Sequence, residues 1–339
     1  MRIVLDAMGS DAHPAPEIEA AASAVRLWPE PLILTGPERI LRPLLDAKGV
    51  PAAQTPIVDA PEVLRMADHP AESARDKSRS SMAVGIDMLR SGEADAFVTA
   101  GNTGGAMATA LLRLGRIRGV KRPALTALFP VQTGHAVVVD LGANAECRPE
   151  YLVQFAIMGS VYAKFALGVE SPRVGLLSNG EEAGKGSPLV KEAHPLLAQA
   201  GLNFVGNVES KEFFAGEVDV IVTDGFTGNI FLKTSEAVAR FLVDILRREI
   251  RSGLMTSVGG LLAMPAFRRV RRLMDPAEVG AAPLLGVDGL VFIGHGRSDA
   301  RAVVSALRTA RQAVERNLLQ ALRTAIGEQL HGVRSPVDS

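Results

Sequence analysis

Lys185 stands between two glycines in the stretch Leu176 to Ser187 (LLSNGEEAGKGS), with Ser178, Asn179, Glu181 and Glu182 just ahead of it. A lysine so placed has little helical or packing use, and its ammonium suits neutralising a phosphate or a developing oxyanion. The plain alternative is a solvated lysine paired with Glu181 or Glu182. A second cluster, Val222 to Asn229 (VTDGFTGN), sets Asp224 and Asn229 around Gly225 and Gly228. An uncharged amide such as Asn229 can polarise a carbonyl, although its everyday use is in turns and caps. A third, Thr99 to Leu112 (TAGNTGGAMATALL), places Gly101, Gly104 and Gly105 around Asn102 and Thr103 before an alanine-rich helical pattern. Unpaired amides at a helix start, approached closely through glycine, suit a small anion. The plain alternative is a tight turn with Thr103 as N-cap. Neither a Gly-Lys-Ser/Thr continuation nor GxGxxG accompanies these glycines.

Weaker by themselves are Asp6 to Asp11 (DAMGSD), which contains Gly9, Ser10 and Asp11, and Gly142 to Cys147 (GANAEC), which contains Asn144. No His/Asp/Glu spacing resembles a metal-ligand set, and no histidine flanks Cys147 to activate it as a nucleophile. Glu72 to Met82 mixes Arg75, Lys77 and Arg79 with serines, which reads as a contact for an acidic partner or as a solvated face.

The elements that must position these groups are short, unalternating apolar runs: Ile3–Asp6, Leu32–Thr35, Ile57–Asp59, Ala96–Thr99, Leu125–Phe129, Ala136–Asp140, Val174–Ser178, Phe204–Gly206, Val218–Thr223 and Leu290–Ile293. Such runs suit strands covered on both faces. Helical patterns lie between them: Pro16–Leu27, Glu38–Ala47, Ser73–Arg90, Gly104–Leu114, Pro149–Leu167, Pro188–Gln199, Gly228–Arg251 and Ser298–Ala325. The alternation predicts an α/β fold with a largely parallel sheet, whose strand-end loops share one rim where ligands bind.

A chain of 339 residues, 47% hydrophobic and formally uncharged, can bury a large core and offers no global field for nucleic acid. Two tyrosines and one tryptophan provide little surface on which bases could stack. One cysteine excludes a disulfide framework. Neither a signal peptide nor a spanning helix is expected. Around residues 246–275, arginines flank GLMTSVGGLLAMP, which reads as two helices meeting at an apolar tip. Leu254, Met255, Val258, Leu261, Leu262 and Met264 would contact a membrane surface there, a dimer interface or core-facing hairpin being the alternative.

Six segments in order, LDAMGSD, TAGNTGGAMA, VVDLGANAECRPEYLVQFA, LLSNGEEAGKGS, VTDGFTGNIFLKTSE and GAAPLLGVDGLVFIGHGRSDARAV, together resemble the bacterial phosphate acyltransferase family of phospholipid synthesis. The resemblance spans almost the whole chain. It implies a three-layer α/β/α fold similar to isopropylmalate dehydrogenase and phosphotransacetylase, over one domain of residues 1–330 with a helical hairpin, followed by a polar tail at 331–339. It further implies a cytoplasmic homodimer that is peripheral to the membrane and works without cofactor or metal. Its substrates would be inorganic phosphate and acyl-acyl carrier protein, and its product would pass to a membrane-embedded glycerol-3-phosphate acyltransferase. Lys185 and Asn229 match the family's catalytic positions. The substrate-binding set expected around them is Gly9, Ser10, Asp11, Asn102, Thr103, Gly104, Gly105, Asn144, Asn179, Gly186, Asp224 and Gly228. A dehydrogenase of related fold and an idle acyl-binding or membrane-sensing protein are the rival readings.

Overall fold

The computed structural model describes residues 1–273 and 280–332. In chain order these form β1 (Ile3–Asp6), α1 (Ala15–Leu27), β2 (Leu32–Gly36), α2 (Glu38–Ala47), β3 (Ile57–Asp59), α3 (Pro70–Asp76), α4 (Ser81–Arg90), β4 (Ala96–Thr99) and α5 (Thr103–Arg113). There follow β5 (Ala124–Val131), β6 (Gly134–Val139), α6 (Pro149–Leu167), β7 (Val174–Leu177), α7 (Pro188–Ala198), β8 (Phe204–Val208), α8 (Ser210–Ala215) and β9 (Val220–Val222). The chain continues through α9 (Gly225–Ile250), α10 (Leu254–Leu273), β10 (Ala282–Leu285), β11 (Val291–Ile293), α11 (Ala300–Glu315) and α12 (Leu318–Gly332).

All strands join one sheet in the order β3-β2-β1-β4-β11-β10-β5-β6-β9-β7-β8. Neighbours pair in parallel except at β11/β10, β10/β5 and β5/β6. Three reversals make the block β6-β9-β7-β8 run opposite to the block β3-β2-β1-β4-β11. The single shared rim expected of a parallel sheet is therefore not what forms. Residues at the carboxyl ends of both blocks nonetheless line one cleft.

Helices cover both faces, as the fully buried strands β1, β4, β7, β9 and β11 require. On one face α1, α6, α7, α11 and α12 close the largest apolar cluster. On the other, α4 and α5 cover the first block, while Phe213 of α8 and Phe231 of α9 pack on Phe129 of β5.

Several expected elements differ in detail. The helix expected over Ser73–Arg90 is two, because the Ser80 hydroxyl accepts the Ala83 N–H and restarts it as α4. That expected over Ser298–Ala325 breaks at Asn317, whose φ of 53° is left-handed. The strand β10 escaped notice because Pro283 interrupts its apolar run. The turn of the hairpin is Arg251–Gly253, and the apolar stretch beyond it is α10 itself rather than a tip loop. Residues 274–275 of the expected hairpin and residues 333–339 of the expected tail lie outside the described residues.

Candidate functional site

Two buried aspartates build the loops on which the site stands. Asp140, which follows β6, accepts backbone N–H bonds from Leu125, Gly142 and Ala143 on Oδ1, and the Asn144 backbone and side-chain amides on Oδ2, at 2.8–3.2 Å. Burial pushes its carboxyl above the ordinary range although these donors act the other way. Asp6, ending β1, accepts the Met8 N–H at 3.0 Å and the Thr99 hydroxyl at 2.8 Å, and that hydroxyl in turn accepts the Gly101 N–H at 2.9 Å. Burial raises its pKa too. Neither aspartate is among the site residues expected from the sequence, although each shows the same signal: an acid closing a buried strand just ahead of a glycine loop.

At the start of α5, Asn102 rather than Thr103 is the N-cap. Its Oδ1 accepts the Gly105 N–H at 2.9 Å and its Nδ2 donates to the Met66 carbonyl at 2.9 Å. The side chain of Asn102 is thus committed to the turn. The amides of Thr103 and Gly104 have no partner among the described residues and stand at the positive end of α5. Ahead of α9, Asp224 is the N-cap, its carboxylate accepting the N–H and hydroxyl of Thr227 at 2.9 and 2.7 Å. The exposed amide of Asn229 lies one turn further on, beside Gly142.

The lysine loop is pinned from below. The Glu182 carbonyl accepts both the Lys185 N–H at 2.9 Å and the side-chain amide of buried Asn207 at 2.8 Å. Gly186 has φ +100°, and a Cβ there would meet Val190 at 2.5 Å, so only glycine turns the chain into α7. Lys185 is exposed and makes no ion pair among the described residues, whereas Glu181 is held by Lys211 at 3.1 Å. The solvated Lys185–Glu181 pair considered from the sequence does not form.

These three turns meet in a cleft of about 1690 Å³, whose lining includes Asn102, Thr103, Gly104, Asn179, Gly186, Asp224 and Asn229. Lys185 is not itself part of that lining but sits between two residues, Asn179 and Gly186, of the loop that is. Of the other expected binding residues only Asp11 is exposed, beside Gly296 of the cleft lining, and the rest are buried or partly buried. Gly9 packs on the Ala100 and Gly101 amides, the Ser10 N–H donates to Glu17, and the Asp11 N–H donates to Gly296. Gly105 is buried in α5, Asn144 serves Asp140, and Gly228 is packed on the Asp140 carbonyl. Lys77 is spent on Asp68 and the Val63 carbonyl.

The arrangement can hold an anion on the Thr103 and Gly104 amides, with the Asn229 amide lining the same cleft and Lys185 on the loop at its edge. It does not favour thiol chemistry. Burial and the carboxylates of Asp140 and Asp224 push the Cys147 thiol up to about 12, so it stays protonated at neutral pH. Among the described residues no three His, Cys, Asp or Glu side chains gather as a metal would need.

A family model described as fatty acid synthesis protein matches residues 1–321. A phosphate acyltransferase of Elusimicrobium minutum is 44% identical over 329 residues, covering 97% of this chain and 96% of the relative. Among solved structures, a phosphotransacetylase from Streptococcus pyogenes superposes with a TM-score of 0.59 at 16% identity, covering 96% of this chain and 94% of that one. A 4-hydroxythreonine-4-phosphate dehydrogenase from Klebsiella pneumoniae superposes with a TM-score of 0.55 at 15% identity, covering 93% and 99%. The two structures share the fold, an α/β architecture with helices on both sides of a mostly parallel sheet.

Proposed function

The chain belongs to the phosphate acyltransferase family, among the fatty acid synthesis proteins, and from that premise we propose that it moves a fatty acyl group from acyl-acyl carrier protein to inorganic phosphate, giving acyl phosphate. The observation that carries this reading is the convergence of the Thr103–Gly104 amides, the Lys185 loop and the Asn229 turn on one cleft.

The chemistry asks little of a base. Phosphate at neutral pH is already an anion, and one of its oxygens attacks the thioester carbonyl carbon. The carbonyl electrons move onto oxygen, and collapse of the tetrahedral intermediate breaks the C–S bond. The leaving thiolate has a reference pKa of about 8.5 and needs little acid help. What remains is positioning and oxyanion stabilisation. In this reading the free α5 amides grip phosphate, Lys185 neutralises it and the developing charge, and Asn229 orients the carbonyl or phosphate. Asp6 and Asp140 hold the loops in register without touching the reactants. Incubating the protein with acyl-carrier protein and phosphate should release free carrier thiol in proportion to phosphate. Thiol release that is independent of phosphate, or absent, removes the proposal.

We place the protein at the cytoplasmic face of the membrane as a homodimer, delivering acyl phosphate to a membrane-embedded glycerol-3-phosphate acyltransferase. No helix among the described residues is long and apolar enough to cross a membrane. The support for surface contact is α10, where Leu254 and Met255 are 85% and 90% exposed. Leu261 and Leu262 on the same helix stand clear as well, beside exposed Arg268 and Arg269. Apolar side chains in water next to cations suit the headgroup region of an anionic bilayer. Leu254→Glu combined with Leu261→Glu is expected to abolish co-sedimentation with anionic liposomes while activity in solution persists. Undiminished sedimentation rejects the anchor.

A further inference from the structure

The cleft is far larger than the anion it is proposed to hold. Phosphate fills roughly 100 Å³ at most, a few times the share of one water, against about 1690 Å³ available. The remainder is an arm of the cleft lined largely by apolar side chains of α9 and β5. One wall is a stripe on α9 at helical spacing, Phe231, Ser235, Val238 and Leu242, roughly 16 Å from end to end at 1.5 Å per residue. The Ser235 hydroxyl donates to the Phe231 carbonyl at 2.8 Å, so the stripe offers its surroundings no free donor. Leu125, Ala127, Phe129 and Val131 of β5 line the same part of the cleft, and Phe231 packs on Phe129 to close its floor. Val238 and Leu242 are each about half exposed, which leaves the outer end of the arm as apolar surface in contact with water.

We propose that this arm holds the acyl chain, its thioester carbonyl at Asn229 and its methyl end near Leu242, so that Val238 and Leu242 set the accepted chain length. The proposal rests on the acyl-transfer reading above and adds to it the place and limit of the chain. Two observations favour a flexible apolar chain as occupant: the arm is continuous with the glycine-loop site, and the length of the α9 stripe matches an extended long-chain acyl group. Of the charged residues on this part of α9, Lys233 and Glu236 pair with one another at 3.4 Å and Arg240 is exposed.

The test uses the full-length protein with acyl-carrier protein loaded with butanoyl, octanoyl or hexadecanoyl chains. Each methylene kept from water is worth about fourfold in kcat/KM, so blocking the arm for even two of them costs a long chain at least tenfold relative to a short one. Leu242→Trp is expected to lower the hexadecanoyl-to-butanoyl ratio of kcat/KM by about tenfold or more. Val238→Trp, one turn nearer the carbonyl, should extend the loss to octanoyl. An unchanged ratio in both variants, whether rates hold or fall together, overturns the proposal. So does a change in solution mass with equal loss at every chain length, which would mark the stripe as an interface with a second copy. If the unsubstituted protein makes no acyl phosphate from any chain, the failure belongs to the acyl-transfer reading instead.

Discussion

Lys185→Ala is expected to lower kcat/KM for phosphate by about 10²- to 10³-fold, the scale lost when one charge-stabilising group is removed from an acyl-transfer site. The expectation follows from where the lysine stands. Its backbone is fastened through the Glu182 carbonyl to Asn207, while its ammonium has no carboxylate partner among the described residues. A cation held at its base and unspent at its tip is available to an incoming anion. Because the ammonium is a compact point charge, Lys185→Arg should recover only part of the loss. Steady-state turnover across a range of phosphate concentrations is the measurement. Near-normal turnover of the alanine variant would remove Lys185 from the mechanism and leave the amides to act alone.

The second large effect is structural in origin and catalytic in consequence. In Gly228→Ala the new Cβ would lie 1.9 Å from the Asp140 carbonyl oxygen, with Thr223 Cγ2 at 3.0 Å. The nearer atom is backbone, so no side-chain rotation relieves the contact. Either α9 lifts from β6 or the Asp140 loop moves. An overpacked site of this kind costs about 3 kcal/mol or more. Thermal unfolding should fall by several degrees and, in protein that remains folded, activity should drop steeply because Asn229 rides on the displaced turn. Wild-type melting and activity would mean that the start of α9 is looser than its packing implies. Asp140→Asn would not reproduce this effect by the same route, since it turns one of the two oxygens that accept five N–H bonds into a donor rather than adding volume.

Much of the site was legible because its parts are local. The Lys185 loop, the Asn102 turn and the Asp224–Asn229 turn each announce themselves by glycines and amides directly after a short apolar run, and each is found at a strand end. The exposed apolar residues of α10 were equally plain in composition. What local reading misassigned were groups whose use depends on a distant partner. Asn102 looks like a ligand-binding amide, yet its side chain is spent on Gly105 and on carbonyls more than thirty residues away. Gly9 and Ser10 look like a phosphate loop, yet they buttress Ala100 and Glu17. Asp140 looks like an ordinary strand-end acid, and Asn207 drew no notice at all.

From its amino acids alone the chain settled its class, the positions of most strands and helices, its family and the identities of the three loops, because capping, turn chemistry and apolar periodicity act within a few residues. Tertiary structure decided that two sheet blocks run in opposite directions and still open on one cleft. It also decided which glycine-loop residues face that cleft and which stand behind it. Those outcomes follow from strand pairing and packing between segments far apart in sequence, and no short stretch of residues carries them.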